Sequence, residues 1–440
     1  MTFSTNGAGY GASNASTGNL FEDLPSRSGG VTPAPVGEAL ALLGRQLPRD
    51  VRLGTSSWNF PGWLGLIYGA GSGVRRLHAE GLRAYAAWPL FRTVGLDRNF
   101  YRPYTVDELA NFAAQVPEDF SFIVKAPRDV TDPYLRAPTG RPLRPNPNYL
   151  NVERLKSTCF APVEAGLGDK TGVQVLQFSP FPHEALRRPE DRERATDALV
   201  RFFDAVSEAN TNGRLVAAEF RNYEFLTPRL YGAMRRAGIR PVIGLHPAMP
   251  SLMRQMTALR FYETGERVTD PRGDWPITGP LVVRWSLAAH RFYDTAKADW
   301  SPFNAIAAPD PVTRAALAGL IVRAHASGAP TFMAVNNKAE GCAPETVRSV
   351  AEAVVAMNDR RLERERRTEL EAEARETQKH SLLHIHLVLL IPWYLLNAST
   401  HRGSHSQYKS IHLCQGFLYK SLYILSNNPL PYSSQHFCFS

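Results

Sequence analysis

Residues 215–221 read Leu-Val-Ala-Ala-Glu-Phe-Arg, a short apolar run closed by a carboxylate and a guanidinium. Glu219 and Arg221 stand two apart, so in an extended chain their side chains project to the same side. The same design recurs seven times, at Val51–Ser57, Leu90–Asp97, Phe120–Lys125, Val173–Ser179, Pro241–His246, Leu281–Ser286 and Thr331–Asn337, with helix-like stretches between. Continuous apolar runs suit strands buried on both faces, and parallel pairing of such strands needs a helical crossover. Eight units of this kind predict an α/β fold, a (β/α)8 TIM-type barrel. Its active-site mouth is built at the C-terminal ends of the strands. The polar residues that close the runs are therefore expected to meet there.

Composition agrees with a globular chain: 440 residues, 44% hydrophobic and 21% charged. The net charge of +9 raises nucleic acid as a partner, yet the basic residues are scattered and no nucleic-acid motif accompanies them. Cys159, Cys342, Cys414 and Cys438 show no CxxC spacing, which points away from a zinc site or disulfide framework and toward a reduced cytosol. The opening residues have neither a basic region nor an apolar core of signal-peptide type, so a cytoplasmic location is expected.

The organisation expected along the chain has four parts. Residues 1–37, rich in Gly, Ser, Asn and Thr, are expected to be disordered. Residues 38–357 carry the barrel. Residues 358–380, charged on every helical face, read as a solvated helical extension supported by i,i+4 pairs. Residues 381–440 hold no Asp or Glu and show no period; they read as an unstructured, non-homologous tail, with a membrane-surface anchor as the alternative. The apolar stretch within that tail is too short to span a bilayer. Helical patterns occupy Leu82–Trp88, Val106–Gln115, Asp191–Glu208, Pro228–Ala237, Val312–Ala326 and Pro344–Met357. Thr105 and Glu108 have capping-box spacing. A long, basic, proline-rich connection follows the third run, from Pro127 to Tyr149; it reads equally as a solvated insertion or as a lid over the mouth.

At the strand ends the candidates separate by chemistry. Glu219 or Asp97 suits acid/base work, and Lys125 can hold an anion, act as a base or form a Schiff base. Arg221 and Arg284 offer paired donors to a phosphate or carboxylate. Gln177, Asn336, Asn337, Tyr101, Trp58 and Ser56 can orient a ligand, although core packing explains Trp58 equally well. Alternation along the second run places Asp97 and Asn99 on one side and Arg98 on the other. Glu219 and His246 could begin a metal set, but the arginine and asparagine at the neighbouring strand ends disfavour a cation; no metal or other cofactor is expected.

At these same positions the chain resembles the domain of unknown function 72 (YecE-like) barrel family. The matching pieces are GTSSW (54–58) with Tyr68, Phe100-Tyr101, PEDFSFIVKAP (117–127), VLQFSP (175–180), EFR (219–221), VVR (282–284), and Asn336-Asn337 with Gly341 and Ala343. The resemblance implies a TIM-type barrel with a polar pocket at the strand ends and no established activity. It also exposes departures. Gly95 stands where the family commonly has a glutamate, with Asp97 two residues on, and Asp132 falls near the usual histidine. Arg284-Trp285-Ser286 replaces an RxHG-like pattern, with His290, Arg291 and Tyr293 downstream as partial compensation.

These readings converge on a metal-independent enzyme for a small anionic, sugar- or nucleotide-like compound; hydrolase, lyase and isomerase chemistry are not separable. The alternatives are a nucleotide- or nucleic-acid-binding barrel that uses the basic 128–144 loop, and a catalytically inactive scaffold.

Overall fold

In a computed structural model the chain is described over residues 30–399, apart from 138 and 290. The sequence readings for residues 1–29 and for the tail beyond 399, Cys414 and Cys438 included, lie outside the described residues, as does that for His290. Two compact units divide at Arg361 and Leu362. The first is the barrel.

Eight parallel strands close on themselves: β1 (Val51–Thr55), β2 (Phe91–Leu96), β3 (Ser121–Lys125), β4 (Thr171–Phe178), β5 (Val216–Phe220), β6 (Arg240–Leu245), β7 (Leu281–Trp285) and β8 (Thr331–Val335). They run in sequence order around the ring, and β8 pairs with β1 from Val51↔Thr331 to Thr55↔Val335. Each observed strand lies within two residues of its apolar run. The connecting helices are α1 (Leu77–Ala86), α2 (Val106–Ala113), α3 (Ala161–Leu167), α4 (Pro189–Ala209), α5 (Pro228–Arg236), α6 (Leu252–Thr264) and α7 (Pro311–Ala326). The Thr105–Glu108 capping box closes reciprocally at the start of α2.

Strand alternation divides the core in two. Ile123, Val173, Val175, Ala217, Val242, Val282, Phe332 and Ala334 fill the barrel interior as one apolar cluster. The opposite faces, with Leu53, Val94, Phe122, Leu176, Phe220, Ile243 and Val283, pack against the helices. The inward positions that follow this apolar cluster toward the strand ends are Lys125, Gln177, Glu219 and Arg284, all buried. Polar side chains at such depth persist only where they satisfy one another.

One row explains how a side chain as long as arginine fits. Gly244, Arg284, Ala334 and Gly54 are in register across β6, β7, β8 and β1. Three of the four have one side-chain carbon or none, which leaves the centre of the barrel to Arg284. Gly54 itself is required by a close backbone approach: a Cβ there would fall 1.8 Å from the Thr93 carbonyl oxygen, at an irregularity in the β1–β2 pairing.

The connection after β3 is folded rather than loose. It contains a short helix (Arg128–Thr131) and an antiparallel hairpin of Tyr134–Arg136 against Pro142–Pro145. Asp132 is buried and receives Arg136 at 2.7 and 3.0 Å, while Arg136 also donates to the Pro180 carbonyl beyond β4. Asn146 donates to the carbonyls of Asp129 and Asp132. This is a pinned insertion in which Asp132 braces the hairpin. A last helix, α8, spans Ala343–Ser399 and runs into the second unit. There the described side chains through residue 384 are exposed, with pairs such as Arg367–Glu371 at i,i+4 spacing.

Two glycine substitutions test this packing. Gly54→Ala should destabilise the fold by about 3 kcal/mol or more, because the clash is with backbone and cannot be relieved by a rotamer change. Gly319→Ala, within α7 and with nothing inside 4 Å of a built Cβ, should stabilise it by roughly 0.5–1 kcal/mol. Urea denaturation midpoints of the two variants against the parent check both signs.

Candidate active site

The mouth is organised around Arg284, which is 3% exposed. One terminal nitrogen donates to Gln177 Oε1 at 3.0 Å and to Glu219 Oε2; the other donates to both oxygens of Asp97 at 3.0 and 3.1 Å. β4 and β5 bring Gln177 and Glu219 into direct register. Lys125 Nζ stands 3.9 Å from Asp97 and 4.5 Å from the centre of the Phe100 ring. Asp97, Lys125, Gln177, Glu219 and Arg284, read separately from five strand ends, thus form one network.

The pairing differs from the local reading in one respect. Arg221 lies beside Glu219, but only at 3.7 Å, and its Nε is buried without a hydrogen-bond partner. The tight partner of Glu219 is Arg284, from 65 residues further along. With its two terminal nitrogens committed to protein acceptors, Arg284 holds the site together and has little left for a ligand.

Asp97 also reaches the network by a different route. The chain leaves β2 at Leu96 and winds through a 3-10 turn, Asp97–Phe100, so strand alternation no longer applies. Asn99 does not share the side of Asp97: it donates to the Lys125 carbonyl at 2.7 Å and accepts from Tyr104 N. Arg98 pairs with Glu108 at 2.6 Å.

Four other candidates, Trp58, Asn337, Asn336 and Ser56, have structural partners. Trp58 is buried among His78 and Phe112, with its indole N–H donating to the Leu77 carbonyl; the extended residues after β1 turn it into the helical shell, away from the mouth. Asn337 is buried and accepts from Ala343 N at the start of α8. Asn336 donates to Ser56 Oγ at 2.8 Å, which ties the end of β8 to that of β1. Tyr101 is half-exposed at the rim, with the Arg128 guanidinium 5.5 Å from its ring.

Local charge sets the protonation states. Burial opposes ionisation of Asp97 and Glu219, but Arg284 and the neighbouring cations more than offset it and hold both carboxyls below their usual range. Burial pushes Lys125 down to about 8, the pull of Asp97 and Glu219 notwithstanding. His246, at the end of β6, is lowered to about 4 by burial and then by Arg221. Its Nδ1 accepts from Ala248 N at 3.1 Å, so the proton of the neutral ring sits on Nε2. At neutral pH the mouth therefore holds two carboxylates, a neutral imidazole and an amine that titrates near the working range.

Beside Glu219 opens a cavity of about 420 Å³ lined by Arg221, Tyr223, Met249, Pro250, Ser251 and Arg254. Ser251 caps the 13-residue helix α6, whose N-terminal end faces the cavity wall. Arg254 makes no ion pair among the described residues and lies 5.9 Å from the Tyr223 ring. Neither Arg254 nor Tyr223 was among the residues singled out from sequence. The signal available was Pro250-Ser251 before Leu252, a helix start placed directly after a strand end. Among the described residues no group of three His, Cys, Asp or Glu side chains is placed to hold a metal ion.

Arg284→Met should cost about 3–5 kcal/mol at pH 7, because it strands two buried carboxylates. In the parent, both folded carboxyl pKa values are depressed, so their stabilisation is present above the unfolded values near 4 and is lost as pH falls. In the variant the same carboxyls take up protons more readily. The deficit should therefore shrink on acidification toward pH 4, as read from denaturation curves across that range. A deficit independent of pH would mean that Arg284 acts through packing alone.

Among the described residues no helix is long and apolar enough to cross a membrane. A family model described as protein of unknown function DUF72 matches residues 52–370. A crystal structure of a DUF72 family protein from Enterococcus faecalis V583 aligns at 15% identity over 69% of this chain and 95% of that chain, with a TM-score of 0.44. One from Thermotoga maritima MSB8 aligns at 16% identity over 71% of this chain and 99% of that chain, with a TM-score of 0.41. No curated protein matches the chain. A family match across residues 52–370, most of the chain, places this protein in the DUF72 family.

Proposed function

We propose that the barrel mouth is the active site of an enzyme for a small phosphorylated or carboxylated compound, sugar- or nucleotide-like in size. The observation that carries this reading is the division of labour among the cations. Arg284 is consumed by Glu219, Asp97 and Gln177, whereas Arg221 and Arg254 face the 420 Å³ cavity, Arg221 with only a loose contact to Glu219 at 3.7 Å and Arg254 with no ion pair among the described residues. Two guanidinium groups and a helix N-terminus around one cavity suit an oxyanion. Tyr223 supplies a flat surface for the body of the ligand.

With the anion held there, the rest of the ligand extends toward Glu219, His246 and Lys125. Lys125 is the group best matched to proton transfer: burial lowers it to about 8, so a usable fraction is neutral amine near neutral pH. The same neutral amine is the form that attacks a carbonyl carbon as a Schiff-base nucleophile. Asp97 and Glu219, held ionised, stabilise positive charge that develops at Lys125, and the Nε2–H of His246 is a donor for an oxygen of the substrate. Hydrolysis, elimination and isomerisation can all use this set.

A thermal-shift screen of the full chain against phosphorylated and carboxylated metabolites tests the reading. A ligand at 100 times its dissociation constant should add about 2.7 kcal/mol, a rise of a few degrees for a domain of this size. Arg254→Ala, at an exposed position, should fold normally and lose most of the rise. A rise of equal size in the variant, or no rise with any oxyanion compound, sinks the proposal.

A further inference from the structure

Lys338 lies just past β8 in the short turn Asn337–Ala339, and it is 6% exposed. The backbone of this turn is fixed without the lysine side chain: Lys338 N donates to Asn336 Oδ1 at 3.0 Å, and its carbonyl accepts from Ala288 N at 2.8 Å. Gly341 N and Ala343 N close the following residues onto Asn337. The lysine side chain is thus not needed to hold the loop.

What surrounds the ammonium is aromatic. Nζ stands 4.1 Å from the ring centre of Tyr293 and 5.5 Å from that of Phe303. Among the described residues no oxygen accepts a hydrogen bond from it, and it forms no ion pair. The charges that face it are Lys297, which repels it, and Asp294, which attracts it from beyond ion-pair distance; both belong to the helix Tyr293–Trp300. Ring faces attract a cation but replace only part of what water supplied. The ammonium at the end of this largely buried side chain has no anionic partner among the described residues.

The position has access to the mouth. Tyr293 is 42% exposed, and it is close enough to Tyr101 and Asp97 for both to act on its hydroxyl, after burial, in raising its pKa to about 12. The helix Tyr293–Trp300 belongs to the connection after β7, and Lys338 to the one after β8. In TIM barrels the loops after strands seven and eight are a frequent place for phosphate. We propose that Lys338 and Tyr293 form a second oxyanion site at the β8 side of the mouth, which takes a phosphate or carboxylate group directly on the ammonium. It shares no residue with the Arg221–Arg254 cavity and stands or falls apart from it.

The test compares melting temperatures of the full chain in inorganic phosphate, in acetate and in chloride at equal ionic strength. The parent, Lys338→Gln, Arg254→Ala and the double variant are measured together. In chloride, Lys338→Gln should melt at or above the parent, because a largely buried cation without an anionic partner has been removed. In phosphate it should lose about half of the parent's rise, and the double variant should lose the remainder. A rise with phosphate and not acetate assigns the site to phosphate groups; equal rises assign it to oxyanions in general. Lys338→Gln melting well below the parent in chloride, or keeping the full phosphate rise, overturns the proposal. Loss of the rise in Arg254→Ala alone would leave the cavity reading intact while removing this one. As a second readout, acetylation of Lys338 by acetic anhydride in the unaltered protein, followed by mass spectrometry, should be slower in phosphate than in chloride; equal rates also overturn it.

Discussion

A guanidinium as far from water as that of Arg284 is tolerated only where acceptors meet its donors, and this requirement shapes the mouth of the barrel. Glu219 and Gln177 come level on neighbouring strands, and Asp97 arrives from the turn after β2. Gly54, Gly244 and Ala334 leave room in the same row. Buried ion pairs of this kind add little net stability compared with apolar residues of similar volume, since desolvation consumes most of the attraction. The network is better understood as a device for arrangement. It holds two carboxylates at fixed points and prevents either from protonating at neutral pH.

That arrangement then sets the chemistry available around it. A lysine, a histidine and two carboxylates within one mouth are driven to well-separated titration ranges: the carboxyls below their usual values, His246 to about 4 and Lys125 to about 8. Divergent pKa values among close neighbours are how a single site assigns acid and base roles. The carboxylates cannot readily accept a proton because Arg284 already compensates their charge. The amine, opposed by burial and by two arginines, gives up its proton most easily of the cations present. On the β5–β6 side Arg221 keeps only a loose contact with Glu219, and Arg254 makes no ion pair among the described residues.

Most of the scaffold was legible in the sequence, because a buried parallel strand announces itself locally as an apolar run with a polar end. The eight strands and the meeting of Asp97, Lys125, Gln177, Glu219 and Arg284 followed from that rule, and the capping box at Thr105 from its own spacing. Partner choice did not. Glu219 and Arg221 are near in sequence, yet the closer bond of Glu219 is to a residue 65 positions away, and only the closure of the barrel brings it there. Trp58 was misleading because β1 ends at Thr55 and the three residues beyond it no longer alternate inward. Arg254, Tyr223 and Lys338 lie one short turn or more past their strands, where chain direction depends on caps and 3-10 turns rather than on a period. The helix start at Ser251 was a readable signal; the turn at Lys338 had none beyond its place after two asparagines.

The departure at Gly95 is informative about which part of the network can yield. A Cβ at that position would lie 3.0 Å from Ser56 Cα, so β1 as placed here leaves little space for a longer side chain. The carboxylate that faces Arg284 comes instead from Asp97, one step beyond the strand. Its surroundings differ from those of Glu219: the Asp97 side chain is 31% exposed, whereas that of Glu219 is 3% exposed. The two carboxylates on Arg284 are therefore unequal, one dry and one wet. Of the two, the Asp97 contact is the one that can exchange, because water can resolvate the released aspartate. Displacing Glu219 would instead leave a carboxylate uncompensated in the barrel interior, at a far greater cost. Any exchange of partners at this site thus begins on the β2 side, next to Lys125, and the Glu219–Arg284 pair remains as the fixed half of the device.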